Sequence, residues 1–329
     1  MKQKELIFYL VGRKFKQSPN SFVPFDESMI NRGRSIFDAI IFYNGVFVYI
    51  DSHLERTYNA TKTFGAPLEK IFSRKEFKEK LESLKPSILK CFDKKTWLKL
   101  EIIVSRQFNI FLRVVPIPNE WLNSKKRLVL IAIQYKYLLQ NLKYCGRYAE
   151  PMIISELAKK QIDPEIEECL FYLRTKKRGK IKYMVLEGTN SSFFVIDKKN
   201  RLWGAKPPNV LPSTTYRIIE KVARQDMHDL AIPQKERISA IIPFGFPVNT
   251  HGYQIREMFS SSAVRFLPMV KKLIFVDLKN DKSKIIIKRA KNIKDVVVMD
   301  KTPIIDRLRR RFQNEINHYI ELKNIKNNK

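Results

Sequence analysis

Acidic residues, histidine, cysteine and glycine are all scarce in this 329-residue sequence, which has 33 Asp and Glu against 63 Lys and Arg, with 4 His, 3 Cys and 10 Gly. The cysteines, Cys91, Cys145 and Cys169, are odd in number and far apart. That spacing argues against a disulfide framework and fits a reducing compartment, so the expected location is cytoplasmic. The histidines, His53, His228, His251 and His318, do not pair with cysteines at ligand spacing, and no metal site is expected. Long apolar runs are also missing. The best candidates, such as Leu128 to Ile133, have the length of a buried strand, whereas a bilayer needs ~20 residues, so no membrane span is expected. The apolar stretch Leu6 to Val11 is cut by Gly12 and Arg13 with no small-residue cleavage site after it, which argues against secretion. Walker-type and Gly-x-Gly-x-x-Gly loops are absent as well, which removes nucleotide binding of those kinds.

Apolar side chains make up 44% of the chain and aromatics 12%, enough to build a core in each of two domains. The net charge of +30 raises the question of nucleic acid, because lysines that neutralise phosphates release counterions. Arrangement argues the other way. The basic residues are scattered, with two concentrations only, at Lys176 to Lys180 and at Arg307 with Arg309 to Arg311. Neither lies in a zinc finger, a ribonucleoprotein-type sheet or a basic zipper, so no specific nucleic acid is expected as partner.

Leu6 to Val11 and Ser35 to Phe42 read as strands, and Asn44-Gly45 signals a hairpin turn into a further strand, Val46 to Ile50. Helical spacing runs through His53 to Phe64 and Lys75 to Leu84, and strand character returns at Trp97 to Val104 and Phe108 to Pro116. Pro116-Ile117-Pro118-Asn119 disfavours both helix and central strand. The domains expected are a small α+β unit over residues 1–117, a linker over 118–126, and a larger β-rich unit with helices over 127–329 that ends in a basic tail. In that second unit Arg127 to Ile133, Glu168 to Leu173, Lys182 to Leu186 and Phe193 to Ile196 read as strands, and Pro151 to Lys160 as a helix. Ser213 reads as the N-cap of a further helix whose apolar face carries Ile218, Ile219 and Val222.

Six segments in order carry a resemblance: Arg32-Gly33-Arg34-Ser35-Ile36-Phe37-Asp38, His53-Leu54-Glu55-Arg56, Lys143-Tyr144-Cys145-Gly146-Arg147-Tyr148, Glu187-Gly188-Thr189-Asn190-Ser191-Ser192-Phe193, Leu211-Pro212-Ser213-Thr214-Thr215 and Glu257-Met258-Phe259-Ser260-Ser261-Ser262. Together they resemble the class IV pyridoxal-phosphate aminotransferases, the family of branched-chain aminotransferase, D-amino-acid aminotransferase and aminodeoxychorismate lyase. The likeness extends over roughly residues 6 to 270. It implies an α+β, two-domain chain of the fold-type IV (D-amino-acid aminotransferase-like) kind, with pyridoxal 5'-phosphate as cofactor. It departs from the family pattern at Ala39, Ser192, Ser213 and Tyr216, where relatives have Gly, Asn, Gly and Arg.

The resemblance implies that Lys143 is the Schiff-base lysine, a role that suits an amine desolvated beside cations. It assigns Glu187 to the pyridine nitrogen, Tyr148 to the cofactor phenolate, and Arg56, Thr214, Thr215 and Ser262 to the phosphate. Arg32, Phe37 and Lys99 match substrate-pocket positions. The activity implied is amino transfer between an amino acid, branched-chain-like or similar, and a 2-oxo acid, in a homodimer. Aminodeoxychorismate lyase, eliminating pyruvate with the same lysine, is the alternative within the family. A basic nucleic-acid-binding relative without catalysis is the alternative outside it.

Overall fold

The computed structural model describes residues 5–18, 33–122, 127–134, 142–177, 180–243, 246–248, 255–276, 296–297 and 303–327. The chain separates into two compact units. One comprises Met1–Asn119, Leu142–Arg147 and Asn314–Lys329, and the other Glu120–Asn141 and Tyr148–Gln313.

The first unit is built on a six-stranded antiparallel sheet. Its strands are β1 (Leu6–Val11), β2 (Lys14–Ser18), β3 (Ser35–Tyr43), β4 (Val46–Phe47), β5 (Leu98–Ser105) and β6 (Ile110–Pro116), in the spatial order β2-β1-β6-β5-β3-β4. In β5, Leu98, Leu100 and Ile102 are buried while Lys99, Glu101 and Ile103 are less so, the period-two pattern of a sheet with one covered face. That face packs with α1 (Ile50–Thr63), α2 (Arg74–Glu82) and α3 (Lys85–Cys91) in one core, which includes Leu54, Tyr58, Phe77, Ile88 and Leu100. Helix α2 starts at a capping box, in which Ser73 Oγ accepts the Glu76 N–H at 3.2 Å and the Glu76 carboxylate accepts the Ser73 N–H at 2.8 Å.

The hairpin expected over Val46 to Ile50 forms only in part. After Phe47 the chain leaves the sheet, because Tyr49 adopts a left-handed conformation (φ 53°) that turns Ile50 into the first residue of α1. The apolar run is shared between a strand end and a helix start, two periods that composition cannot separate.

The second unit holds a sheet with both parallel and antiparallel pairs. Strands β7 (Arg127–Gln134) and β8 (Ile166–Lys177) are parallel, and the chain crosses between them through α5 (Ala149–Gln161), which follows the four-residue helix α4 (Asn119–Leu122) in helix numbering. Leu128 to Ile133 are all buried, as a parallel strand covered on both faces requires. Leu128, Leu130 and Ala132 enter one core; Val129, Ile131 and Ile133 enter another with Ile154 and Ala158 of α5. Strands β9 (Lys180–Gly188), β10 (Ser192–Asp197), β14 (Ile255–Ser261) and β15 (Met269–Val276) complete a ring with β7 and β8, closed where Glu187 of β9 pairs with Ser192 of β10. β11 (Arg201–Gly204), β12 (Ala240–Ile242), β13 (Phe246–Val248) and β16 (Val296–Val297) extend it.

Ser213 caps α6 (Thr214–His228), its Oγ accepting the Tyr216 N–H at 3.2 Å, and Ile219 and Val222 are fully buried. Tyr216, one of the departures from the family pattern, is a packing residue. Its hydroxyl donates to the Gly204 carbonyl at 3.0 Å and its ring lies 5.2 Å from that of Phe194.

The C-terminal stretch expected as a basic tail contains a 25-residue helix, α7 (Pro303–Asn327). Its buried residues Ile304, Ile305, Leu308, Phe312, Ile316 and Ile320 recur mainly every four positions, a stripe masked by the arginines between them. Three of those arginines are engaged within the second unit, and Arg310 is exposed. Arg307 bonds Asp226, Arg309 bonds the Leu267 carbonyl at 2.8 Å, and Arg311 pairs with Asp229. The other basic concentration is the β8–β9 hairpin, of which residues 178 and 179 lie outside the described residues.

Candidate active site

Lys143 is held by backbone and by charge. Its carbonyl accepts the Phe37 N–H of β3 at 3.0 Å, and Tyr144 forms a bridge with Ile36. Two residues on, Gly146 donates its N–H to the Gly33 carbonyl at 3.3 Å. Gly33 has φ +59°, and a Cβ there would lie 3.1 Å from the Gly146 Cα, so glycine serves both the turn and the close approach of the two chains. The Lys143 side chain is 14% exposed, with its Nζ 4.7 Å from the centre of the Phe37 ring and 3.8 Å from Asp38 Oδ1.

Asp38 is the centre of this cluster. It is 1% exposed in a strand whose other members are mainly apolar. Its Oδ2 accepts Arg56 Nε–H at 2.9 Å and the Thr57 hydroxyl at 3.3 Å. Its Oδ1 accepts an Arg56 terminal N–H and the Ala39 N–H, and lies 3.1 Å from His53 Nδ1. His53, Arg56 and Thr57 stand at i, i+3 and i+4 on α1, the spacing that puts three side chains on one helix face.

Burial alone would raise the Asp38 pKa, but Arg56, then His53 and Lys143, outweigh it and hold the carboxyl well below its ordinary value. Burial lowers the His53 pKa more than Asp38 restores it. For Lys143, burial is again the largest influence; Arg56, Arg147 and Lys99 add to it, Asp38 opposes it, and the amine comes down to about 8. At pH 7 roughly one Lys143 in ten is then neutral, against about one in three thousand for an ordinary lysine.

The second unit gathers four more of the expected residues on adjoining segments. Glu187 is buried and its Oε2 accepts the Leu211 N–H at 3.0 Å, which ties the end of β9 to the segment that enters α6. Thr214 and Thr215 are buried at the start of α6; as its first residues they have no intrahelical acceptor for their N–H groups. Ser192 of β10 is in register with both Glu187 and Ser261, so the ends of β9, β10 and β14 lie side by side. Ser262 follows in a tight turn, where its Oγ accepts the Val264 N–H at 3.4 Å. Among the described residues, the buried hydroxyls of Ser260 and Ser261 have no hydrogen-bond partner.

Glu168, to which sequence reasoning gave no role, locks these turns together. Its Oε1 accepts the Asn190 N–H at 2.7 Å and the Ser191 hydroxyl at 2.9 Å, while its Oε2 accepts Arg265 NH1 at 2.8 Å. Gly188 leaves the room for it. A Cβ at that position would fall 2.2 Å from Glu168 Oε1 and 2.7 Å from Ser191 Oγ. Gly188→Ala is therefore expected to cost about 2 kcal/mol or more through overpacking beside a buried charge. Urea unfolding measures it as a lower midpoint at an unchanged slope; an unaltered midpoint counts against the packing described.

The remaining assigned residues divide as follows. Tyr148 is buried at the entry to α5. Arg56 is half of a bidentate pair with Asp38. Lys99 pairs with Glu101, which also pairs with Arg113. Arg32 lies outside the described residues. Among those residues, no group of three or more His, Cys, Asp and Glu could hold a metal ion, and no helix is long and apolar enough to cross a membrane. Asp38, to which sequence reasoning gave no role, was visible there as the last residue of the first family-like segment and as a lone carboxylate within a nine-residue strand of largely apolar residues.

The two-unit α+β architecture, with a lowered buried lysine in one unit and a helix start beside a buried glutamate in the other, is that of a fold-type IV enzyme. The model of the amino-transferase class IV family matches residues 35–241, more than half of the chain, and the chain belongs to that family. Among solved structures it is similar to a hypothetical aminotransferase from Mycobacterium tuberculosis in its PLP-bound form, with a TM-score of 0.67 at 15% identity over 95% of this chain and 98% of that one. The alpha-ketoglutarate and PMP bound form of a hypothetical aminotransferase from the same organism gives 0.68 at 15% identity over 94% and 98%. Branched-chain amino acid aminotransferase of Escherichia coli gives 0.63 at 14% identity, over 95% of each chain. At such identities the likeness is one of fold. No curated protein sequence matches significantly.

Proposed function

We propose that this class IV aminotransferase uses pyridoxal 5'-phosphate to move an amino group between an amino acid, branched-chain-like or similar, and a 2-oxo acid. The observation that carries the reading is Lys143, a buried amine lowered to about 8 and held beside Asp38. Bound pyridoxal phosphate supplies a carbonyl that condenses with amines and a ring that takes up electrons from the substrate α-carbon.

The residues present fit that group. Lys143 Nζ would be the attachment point and would take the α-carbon proton as general base. Glu187 offers a buried carboxylate to the ring nitrogen, and Tyr148 a hydroxyl to the phenolate. In the second unit the N–H groups of Thr214 and Thr215 at the positive end of α6 and the Ser262 hydroxyl suit a phosphate, and in the first unit the Arg56 guanidinium is assigned to it by the resemblance. Of the orphaned Ser260 and Ser261 hydroxyls, which alternate across β14, one would add a donor to that set. Arg32, Phe37 and Lys99 are assigned to the substrate, a homodimer is part of the proposal, and the domains proposed are residues 1–117 and 127–329 with a linker over 118–126, although residues 142–147 and 314–329 group with the first unit.

Transfer is favoured over elimination because the similar Mycobacterium tuberculosis protein is described with alpha-ketoglutarate and PMP bound. Purified protein given branched-chain amino acids and 2-oxoglutarate is expected to form glutamate and the matching 2-oxo acid. Pyruvate release from a chorismate-derived amine, without transfer, would identify a lyase.

A further inference from the structure

Charged groups reach Lys143 from every element around it. Asp38 comes from β3, His53 and Arg56 from α1, Lys99 from β5, and Arg147 from the turn that follows the lysine. In this set Asp38 supplies the negative charge. Its contacts are more than a pair with Arg56 needs, because Oδ1 lies close to Arg56, His53 and Lys143 together. The Phe37 N–H, one residue before Asp38, also fixes the Lys143 carbonyl, so backbone and carboxylate hold the lysine from the same strand.

We propose that Asp38 is a positioning residue for the amine chemistry of Lys143, its carboxylate holding the ammonium at the Phe37 face and opposing the cations around it. The inference rests on reading Lys143 as the reactive amine. Without the carboxylate, burial and the cations Arg56, Arg147 and Lys99 act unopposed, and the amine gives up its proton at lower pH. Without Arg56, one of the cations that lower the amine is gone and the carboxylate still opposes the rest, so the amine keeps its proton to higher pH. A carboxylate that served only to dock α1 on β3 would alter stability when lost and leave the midpoint of the amine where it is.

The test is the pH dependence of acylation of Lys143 in the full-length protein freed of cofactor, read on the Lys143 peptide by mass spectrometry. The wild type is expected to show a midpoint near 8. In Asp38→Asn the midpoint should move at least about half a unit to lower pH, so that labelling at pH 7 rises about threefold. Asp38→Glu should bring it back toward the wild-type value, and Arg56→Gln should move it the opposite way. A folded Asp38→Asn protein with an unchanged midpoint overturns the proposal. If that variant does not fold, the double variant Asp38→Asn with Arg56→Gln, which leaves neither half of the pair buried alone, decides by comparison with Arg56→Gln: a midpoint no lower than that of Arg56→Gln also overturns the proposal. The reading beneath the proposal is tested apart from it, by borohydride trapping of pyridoxal phosphate on wild-type protein. Trapping on another lysine removes Lys143 from the chemistry whatever the midpoints show.

Discussion

Lys143→Ala is expected to lower amino transfer by about a thousandfold or more while the protein stays folded. Both halves follow from the surroundings of the amine. In the proposed function the residue supplies the attachment point and the base, and no other described lysine lies beside Asp38. Its side chain fills no apolar core, and Asp38 keeps both bonds from Arg56 when it is gone, so no buried charge is left unpaired. Steady-state rates with matched urea unfolding check this. A variant that retains more than about a tenth of wild-type activity would show that the proton is handled elsewhere.

Glu187→Gln is expected to slow turnover by about a hundredfold, some 2.7 kcal/mol in the barrier, with the cofactor still bound. A carboxylate beside the ring nitrogen keeps that nitrogen protonated; an amide of the same shape does not. The exchange is mild for the fold, because the glutamine carbonyl can accept the Leu211 N–H as the carboxylate does. Turnover number and bound-cofactor stoichiometry, measured on one preparation, separate chemistry from binding. Full occupancy with near-normal turnover would remove Glu187 from the reaction.

Much of the fold was legible because local signals and burial agree. The alternation in β5, the unbroken apolar run of β7 and the Ser213 cap each state in sequence what the structure builds. Two stretches fold otherwise than they read in sequence. Helix α7 hides a four-residue stripe among arginines, and composition alone turns such a stretch into a tail. Val46 to Ile50 is divided by a left-handed Tyr49, a conformation rare for tyrosine that sequence does not announce.

The site was legible in its parts and not in its wiring. The motif around Lys143 could be read as a Schiff-base segment, but the carboxylate that meets its amine lies 105 positions earlier in the chain, on strand β3. The His53 to Thr57 spacing predicts one helix face; which charge that face meets is a tertiary fact. Glu168 gave no signal, since its partners at 190, 191 and 265 come together only when the ring of strands closes.

The most direct measurement is reduction of the purified protein with borohydride in the presence of pyridoxal phosphate, followed by peptide mass mapping. The phosphopyridoxyl mass is expected on the peptide that carries Lys143, and is expected to vanish in Lys143→Ala. A modification on any other lysine, or none at all on a folded protein that has taken up the cofactor, would contradict the assignment of Lys143 and with it the proposed function.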